Sequence, residues 1–233
     1  MGREITLTAA DGSGTFTAYL AEPASGTGPG IVVIQEIFGV NADVRAKADA
    51  WAEKGYFALA PDLFWRQEPG VQLTDKTDEE WQKAMALLNG FDVEKGVEDL
   101  KTTIDALRDT NGCTGKIGTV GFCLGGRLAY LCGTRTNADA NVSYYGVTIE
   151  NMLDEAANIT KPMLMHIACE DKFVSKEAQA QIHAALDDHP QVTIYDYPGQ
   201  EHAFTRINGQ HFNQEATDLA HGRTTEFFEK HLK

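Results

Sequence analysis

Gly121-Phe122-Cys123-Leu124-Gly125-Gly126 decides how this chain is read. An apolar run at 116–120 precedes it and an amphipathic run at 127–132 follows it, so Cys123 falls where a strand turns directly into a helix. Gly121 and Gly125 flank the cysteine because a turn this tight leaves no room for a Cβ where strand and helix close on each other. The thiol is then presented at the carboxyl end of a sheet. The backbone N–H of Leu124, opening the helix, faces any oxyanion formed beside it. A glycine-flanked cysteine is a weak pattern alone, since a lone buried cysteine is more often a small hydrophobe. Its meaning depends on whether a base and an orienting acid follow it.

Outward from that turn the pattern alternates. Residues 3–8 and 15–21 alternate apolar with polar around Asp11-Gly12-Ser13-Gly14 and predict an antiparallel hairpin at one edge. Residues 23–30 are read as a loop, and 31–34, Ile-Val-Val-Ile, as a strand buried on both faces. Val44, Ala48, Trp51 and Ala52 share a helical stripe ended by Gly55, and a strand follows at 56–60. A polar excursion at 61–77 leads to helices at 78–88 and 93–108. Beyond the turn come strands at 142–145, 163–168 and 192–197 with helices at 150–157, 176–186 and about 214–231. A hairpin followed by repeated βα alternation predicts an α/β fold: a mostly parallel twisted sheet with helices on both faces. No repeat or linker interrupts it, so residues 1–233 are expected to form one domain.

Composition narrows the partners. A chain of 233 residues with 42% hydrophobic and 23% charged residues can bury a core unaided. With 34 acidic and 20 basic side chains, a formal net charge of −14, it is a poor match for nucleic acid or an anionic membrane. The N-terminus lacks the apolar core of a signal peptide, and no apolar stretch is long enough to span a bilayer. Cys113, Cys123, Cys132 and Cys169 form neither a metal-type pair nor a disulfide scaffold, which suits a reducing, cytoplasmic setting. A monomer is expected, and no metal or organic cofactor is called for.

The missing partners of Cys123 lie on the next strand ends. Asp171 follows the strand ending at 168, and His202 follows the strand ending at 197. Each position alone reads as a turn aspartate or a surface histidine. The order nucleophile, acid, histidine on three strand ends of one sheet edge is what makes them a triad. Cys123 would attack as thiolate, His202 would accept its proton and later activate water, and Asp171 would fix the imidazole. A second oxyanion donor is expected from the backbone N–H of Ile37. His166, Cys169 and Asp171 do not make a metal cluster, because strand alternation points the first two apart.

Four motifs carry a resemblance over almost the whole chain: Gln-Glu-Ile-Phe-Gly-Val-Asn at 35–41, the hexapeptide at 121–126, Tyr-Tyr-Gly-Val at 144–147, and His202-Ala-Phe-Thr-Arg206. Together they resemble the dienelactone hydrolase family of the α/β-hydrolase fold. The resemblance implies a carboxylic ester hydrolase opening an enol lactone or small activated ester, with Glu36 as a second carboxylate near the thiol and Arg206 as a cation for a substrate carboxylate. It also implies pocket positions at Trp81 and Met85. Phe38 is expected to contact substrate, and Tyr144, whose strand ends beside the turn, reads equally as pocket lining or as core. The family pattern carries an arginine and a tyrosine where this chain has Trp81 and Met85, which makes that side of a pocket more apolar. A broader carboxylesterase or thioesterase is therefore an alternative. A thiol redox protein is another, though Cys132, the cysteine nearest to Cys123 in sequence, lies more than two helical turns away.

Overall fold

The alternating runs form an antiparallel hairpin, β1 (Arg3–Thr8) and β2 (Thr15–Ala21), with Arg3 opposite Leu20 and Thr8 opposite Thr15. This is a computed structural model, and it describes residues 2–233. The remaining strands are β3 (Gly28–Ile34), β4 (Phe57–Pro61), β5 (Cys113–Phe122), β6 (Ala140–Tyr144), β7 (Met163–Ala168) and β8 (Val192–Tyr197). The helices are α1 (Ala42–Glu53), α2 (Asp78–Asn89), α3 (Val93–Arg108), α4 (Leu124–Arg135), α5 (Lys176–Leu186) and α6 (Gln214–Leu232). Strand order is β1-β2-β4-β3-β5-β6-β7-β8. Two compact units divide the chain inside β5, Met1–Thr119 and Val120–Lys233.

In the first unit, β4 runs antiparallel to β2 and parallel to β3. Ile31, Val32, Val33 and Ile34 have no exposed surface, as a run without polar alternation requires. Burial of each such side chain contributes about 1.5–3 kcal/mol. β3 starts at Gly28, earlier than the β-branched run suggests, so 28–30 are strand and not loop. The reason is close approach: a Cβ on Gly28 would come within 2.2 Å of the Gly55 carbonyl oxygen. Glycine is read as a loop former from sequence, yet here it lets a strand pass a neighbouring turn.

In the second unit, β6, β7 and β8 are parallel, with Asn141 opposite Met163 and Met163 opposite Val192. The segment expected as an α-helix at 150–157 is instead a 3₁₀ helix, Ile149–Asn158. Its preceding residue, Thr148, sits at φ 59° and gives no side-chain cap, so nothing sets up a wider α-helical first turn. Beneath the strands a buried polar cluster ties β6, β7 and β8 to α6. His166 bonds the Tyr197 hydroxyl through Nδ1 at 2.7 Å and Thr224 Oγ1 through Nε2 at 2.8 Å. Tyr144 reaches the same Thr224 hydroxyl at 2.6 Å and donates to the Ala220 carbonyl at 3.1 Å. Burial holds His166 well below its ordinary pKa, so it is a neutral bridging group.

Candidate active site

Five of the six α-helices begin with a side chain that accepts a hydrogen bond from the first turn: Asn41, Thr77, Asp92, Ser175 and Asn213. α4 differs. Cys123 precedes it at φ 57°, ψ −115°, and its side chain makes no cap. The first N–H groups of α4, Leu124 among them, therefore lack the usual side-chain acceptor and can serve another oxygen. The turn is as tight as its glycines imply: a Cβ on Gly121 would lie 1.9 Å from the Gly125 carbonyl oxygen. A positive φ at a non-glycine residue costs on the order of 1–3 kcal/mol and survives only where neighbours enforce it. They do so here. The Cys123 N–H donates to the Tyr144 carbonyl at 3.1 Å, and its own carbonyl accepts from Arg127 at 3.2 Å and Val147 at 3.4 Å.

Asp171 and His202 meet as their strand-end positions require. His202 Nδ1 lies 2.7 Å from Asp171 Oδ2, with both side chains almost wholly buried. The other carboxylate oxygen, Oδ1, accepts the Phe173 N–H at 2.8 Å, so Asp171 is held at both ends. The two loops are joined, since the Glu170 N–H donates to the Gln200 carbonyl at 2.8 Å. With Nδ1 committed to Asp171, Nε2 is the nitrogen left for the Cys123 proton. Burial alone would lower the His202 pKa. The charge of Cys123, the hydrogen bonds to Asp171 and Cys123, and the charge of Asp171 outweigh it and push it up to about 10. In Asp171→Asn that support is removed, and the His202 imidazole titration followed by NMR is expected to move to lower pH. A midpoint left near its wild-type position would show that Asp171 does not act on the ring.

Other predicted residues fall unevenly. Tyr144 is core, not pocket lining, because its ring stacks on Phe122 at 4.8 Å and its hydroxyl is spent on α6. Its neighbour Tyr145 turns instead toward the histidine, ring centroids 5.1 Å apart, with its hydroxyl 2.7 Å from Thr205 Oγ1. Phe173, 56% exposed, covers the same imidazole at 4.8 Å. Neither was picked out from sequence. Arg206 follows at the end of the His202 loop, half-buried, its N–H donating to the Ala203 carbonyl at 2.9 Å. Leu124 is fully buried at the start of α4.

In the first unit Glu36, Ile37 and Phe38 follow β3 and are all buried. Gln35 fixes this loop by accepting the Leu63 N–H at 3.1 Å. Phe38 meets Trp81 edge-on at 5.3 Å, and Trp81 Nε1 donates to the Asp75 carbonyl at 3.2 Å. Met85 is 37% exposed. Lys83 points to Glu68 at 2.6 Å, in keeping with its place off the Trp81 face. Among the described residues no His, Cys, Asp and Glu cluster could hold a metal ion, and no helix is long and apolar enough to cross a membrane.

A mostly parallel sheet with its thiol, acid and histidine on three strand ends, in that chain order, defines an α/β hydrolase of the carboxylic ester hydrolase class. The model of the dienelactone hydrolase family matches residues 16–232. A provisionally named carboxymethylenebutenolidase of Azospirillum brasilense is 50% identical over 231 residues, covering 98% of this chain and 99% of its own. Carboxymethylenebutenolidase 1 of Cupriavidus pinatubonensis is 35% identical over 213 residues, 91% of each chain. The chain belongs to the dienelactone hydrolase family. A crystal structure from Klebsiella pneumoniae superposes with a TM-score of 0.84 at 23% identity, over 99% of this chain and 100% of that one, and bears on the fold alone.

Proposed function

We propose that this protein opens a carboxymethylene-substituted butenolide, or a closely related enol lactone, through a Cys123 thioester. The observation that carries the reading is the buried 2.7 Å contact of His202 with Asp171, on an imidazole whose other nitrogen is free to serve the Cys123 sulfur. Cys123 adds to the lactone carbonyl, and the oxyanion is held by the uncapped N–H of Leu124. The ring C–O bond then breaks, and the enolate oxygen leaves with the proton that His202 took from Cys123, which returns the imidazole to its neutral form. His202 takes a proton from water, the hydroxide adds to the thioester, and the Cys123 thiolate departs with the acid released. Enol esters suit a sulfur nucleophile, because the enolate is a good leaving group. Ile37 as second oxyanion donor and Glu36 as second carboxylate are carried over from the family.

The family model's span from 16 to 232 supports reading both units as one catalytic domain, and the free cysteines favour a cytoplasmic setting. The test is kcat/KM for a carboxylate-bearing dienelactone beside a neutral aryl ester of similar size. A preference for the lactone upholds the reading. A preference for the neutral ester replaces it with a broader carboxylesterase, which the Trp81–Phe38 pairing in place of a cation favours. Arg206→Ala is expected to raise KM for the carboxylated substrate about 10- to 100-fold, the worth of one charged hydrogen bond, with little change for the neutral ester. Equal losses on both would make Arg206 structural.

A further inference from the structure

A cavity of about 390 Å³ opens in the second unit between α6 and the amino ends of β7 and β8, and the triad uses none of it. Its sheet wall is Thr193 and Tyr195, which strand alternation turns to one face, with Leu164 of β7 opposite Thr193. That is the face α6 covers, because Tyr197, next in the alternation, reaches through His166 to Thr224. The helical wall is a second stripe of α6. Ala220, Thr224, Phe228 and Leu232 recur every fourth residue and are buried, while Arg223, Phe227 and Lys230 run beside them and line the cavity. Asp171 and His202 follow the carboxyl ends of the same two strands. Leu164 lies four residues of strand before Ala168, about 13 Å at 3.3 Å per residue, so the cavity stands apart from the catalytic loops.

What marks the cavity is positive charge on an acidic protein. The chain has a formal net charge of −14, yet Arg223 and Lys230 line one hollow. The Arg223 guanidinium carbon sits 3.9 Å over the Tyr195 ring and 5.4 Å from the Tyr197 ring, and the side chain hydrogen-bonds the Tyr197 hydroxyl. A guanidinium stacked in this way is held in place, and its outer N–H groups still offer a fork to a planar anion. Among the described residues no carboxylate stands within ion-pair distance of Arg223 or Lys230. Glu226 is spaced for either, one turn after Arg223 and one turn before Lys230, and bonds neither, whereas Lys233 on the same helix takes Glu229 at 3.7 Å. Phe227 adds an apolar surface, backed by the His231 ring at 4.8 Å. We propose that this cavity binds a small aromatic carboxylate, the carboxylate on the Arg223 fork with Lys230 beside it and the ring against Phe227 and Leu164. Bidentate pairing with a planar carboxylate is what a fixed guanidinium does best. The volume is at the lower end of small-molecule pockets, about 300–1,000 Å³, which suits a single ring.

The test is a ¹H–¹⁵N shift titration of the full chain with sodium benzoate, read at the amides of Thr193, Tyr195 and Phe227. Saturation is expected with a Kd on the order of 1 mM, ordinary for so small a ligand. Arg223→Gln is expected to weaken binding by about 10-fold or more, the worth of a charged hydrogen bond. Lys230→Gln, at an exposed position, is expected to weaken it about threefold, and Glu226→Gln, which removes a competing carboxylate, to tighten it about twofold. Benzamide, of the same shape without the charge, is expected to give no saturable shift. Sodium phosphate is expected to bind at least about 10-fold more weakly than benzoate, since it brings no ring to Phe227. Shifts confined to the amides of Phe173, His202 and Arg206, an unchanged Kd in Arg223→Gln, or benzamide binding as well as benzoate would overturn the proposal. Phosphate binding as tightly as benzoate would also overturn it, by making the cavity an indifferent anion patch. Should Arg223→Gln not fold, Lys230→Gln and Glu226→Gln decide: opposite shifts in Kd uphold the proposal, and unmoved values overturn it.

Discussion

Cys123→Ala is expected to fold as wild type does and to lose turnover of lactone and ester alike by a factor on the order of 10⁴ or more. The side chain removed is small, and the strain of the turn resides in the backbone, which the Tyr144, Arg127 and Val147 hydrogen bonds hold independently of the sulfur. Stability is therefore expected to change by less than about 1 kcal/mol. What disappears is the only atom in the proposed mechanism able to form the thioester, and His202 then has no partner to deprotonate. Any residual rate would come from the Leu124 N–H and His202-assisted water. The measurement is single-turnover hydrolysis with mass spectrometric trapping of the acyl-enzyme: wild type gives an adduct on Cys123 and the variant gives none. A variant retaining more than a tenth of wild-type kcat would remove the thiol from the mechanism.

Gly121→Ala has the second largest expected effect, and it acts on folding. The added Cβ meets the Gly125 carbonyl oxygen at 1.9 Å, with the Gly125 carbonyl carbon at 2.3 Å. Both are backbone atoms of the helix that starts at the cysteine, so no rotamer change relieves the clash. The end of β5 and the first turn of α4 have to move apart. Overpacking of well-ordered regions costs about 1–3 kcal/mol and occasionally more; a backbone-to-backbone conflict belongs at or above the top of that range. Urea denaturation is expected to show a loss of about 3 kcal/mol or more, with the remaining folded fraction inactive because Cys123 has left its φ 57° conformation. A variant with wild-type stability and activity would mean that the turn is looser than its geometry states.

The meeting of Asp171 with His202 was legible because it depends on order. Cys123, Asp171 and His202 each follow a strand, and three strand ends of a parallel sheet share one edge, so chain order sufficed to bring the last two together. The hairpin was legible to the residue, since alternation at 3–8 and 15–21 is a local property. What escaped depended on where a local rule stops. Tyr144 and Tyr145 are indistinguishable by type, and strand alternation gives no answer at 145, where φ reaches 37° and the chain leaves the sheet. The core thus received Tyr144 and the histidine received Tyr145. Phe173 reads as an apolar loop residue, and only its contact with the imidazole gives it meaning.

The double attachment of Asp171 offers a spectroscopic handle on the site. Its Oδ1 receives the backbone N–H of Phe173 while its Oδ2 receives His202, so the amide proton of residue 173 senses the electron density of the carboxylate. In a ¹H–¹⁵N spectrum that resonance should sit downfield, exchange slowly despite the exposure of its ring, and shift when His202 gains or loses its proton. The protein therefore carries an internal probe of its own proton inventory, readable at a backbone position that no reagent or substitution has to touch.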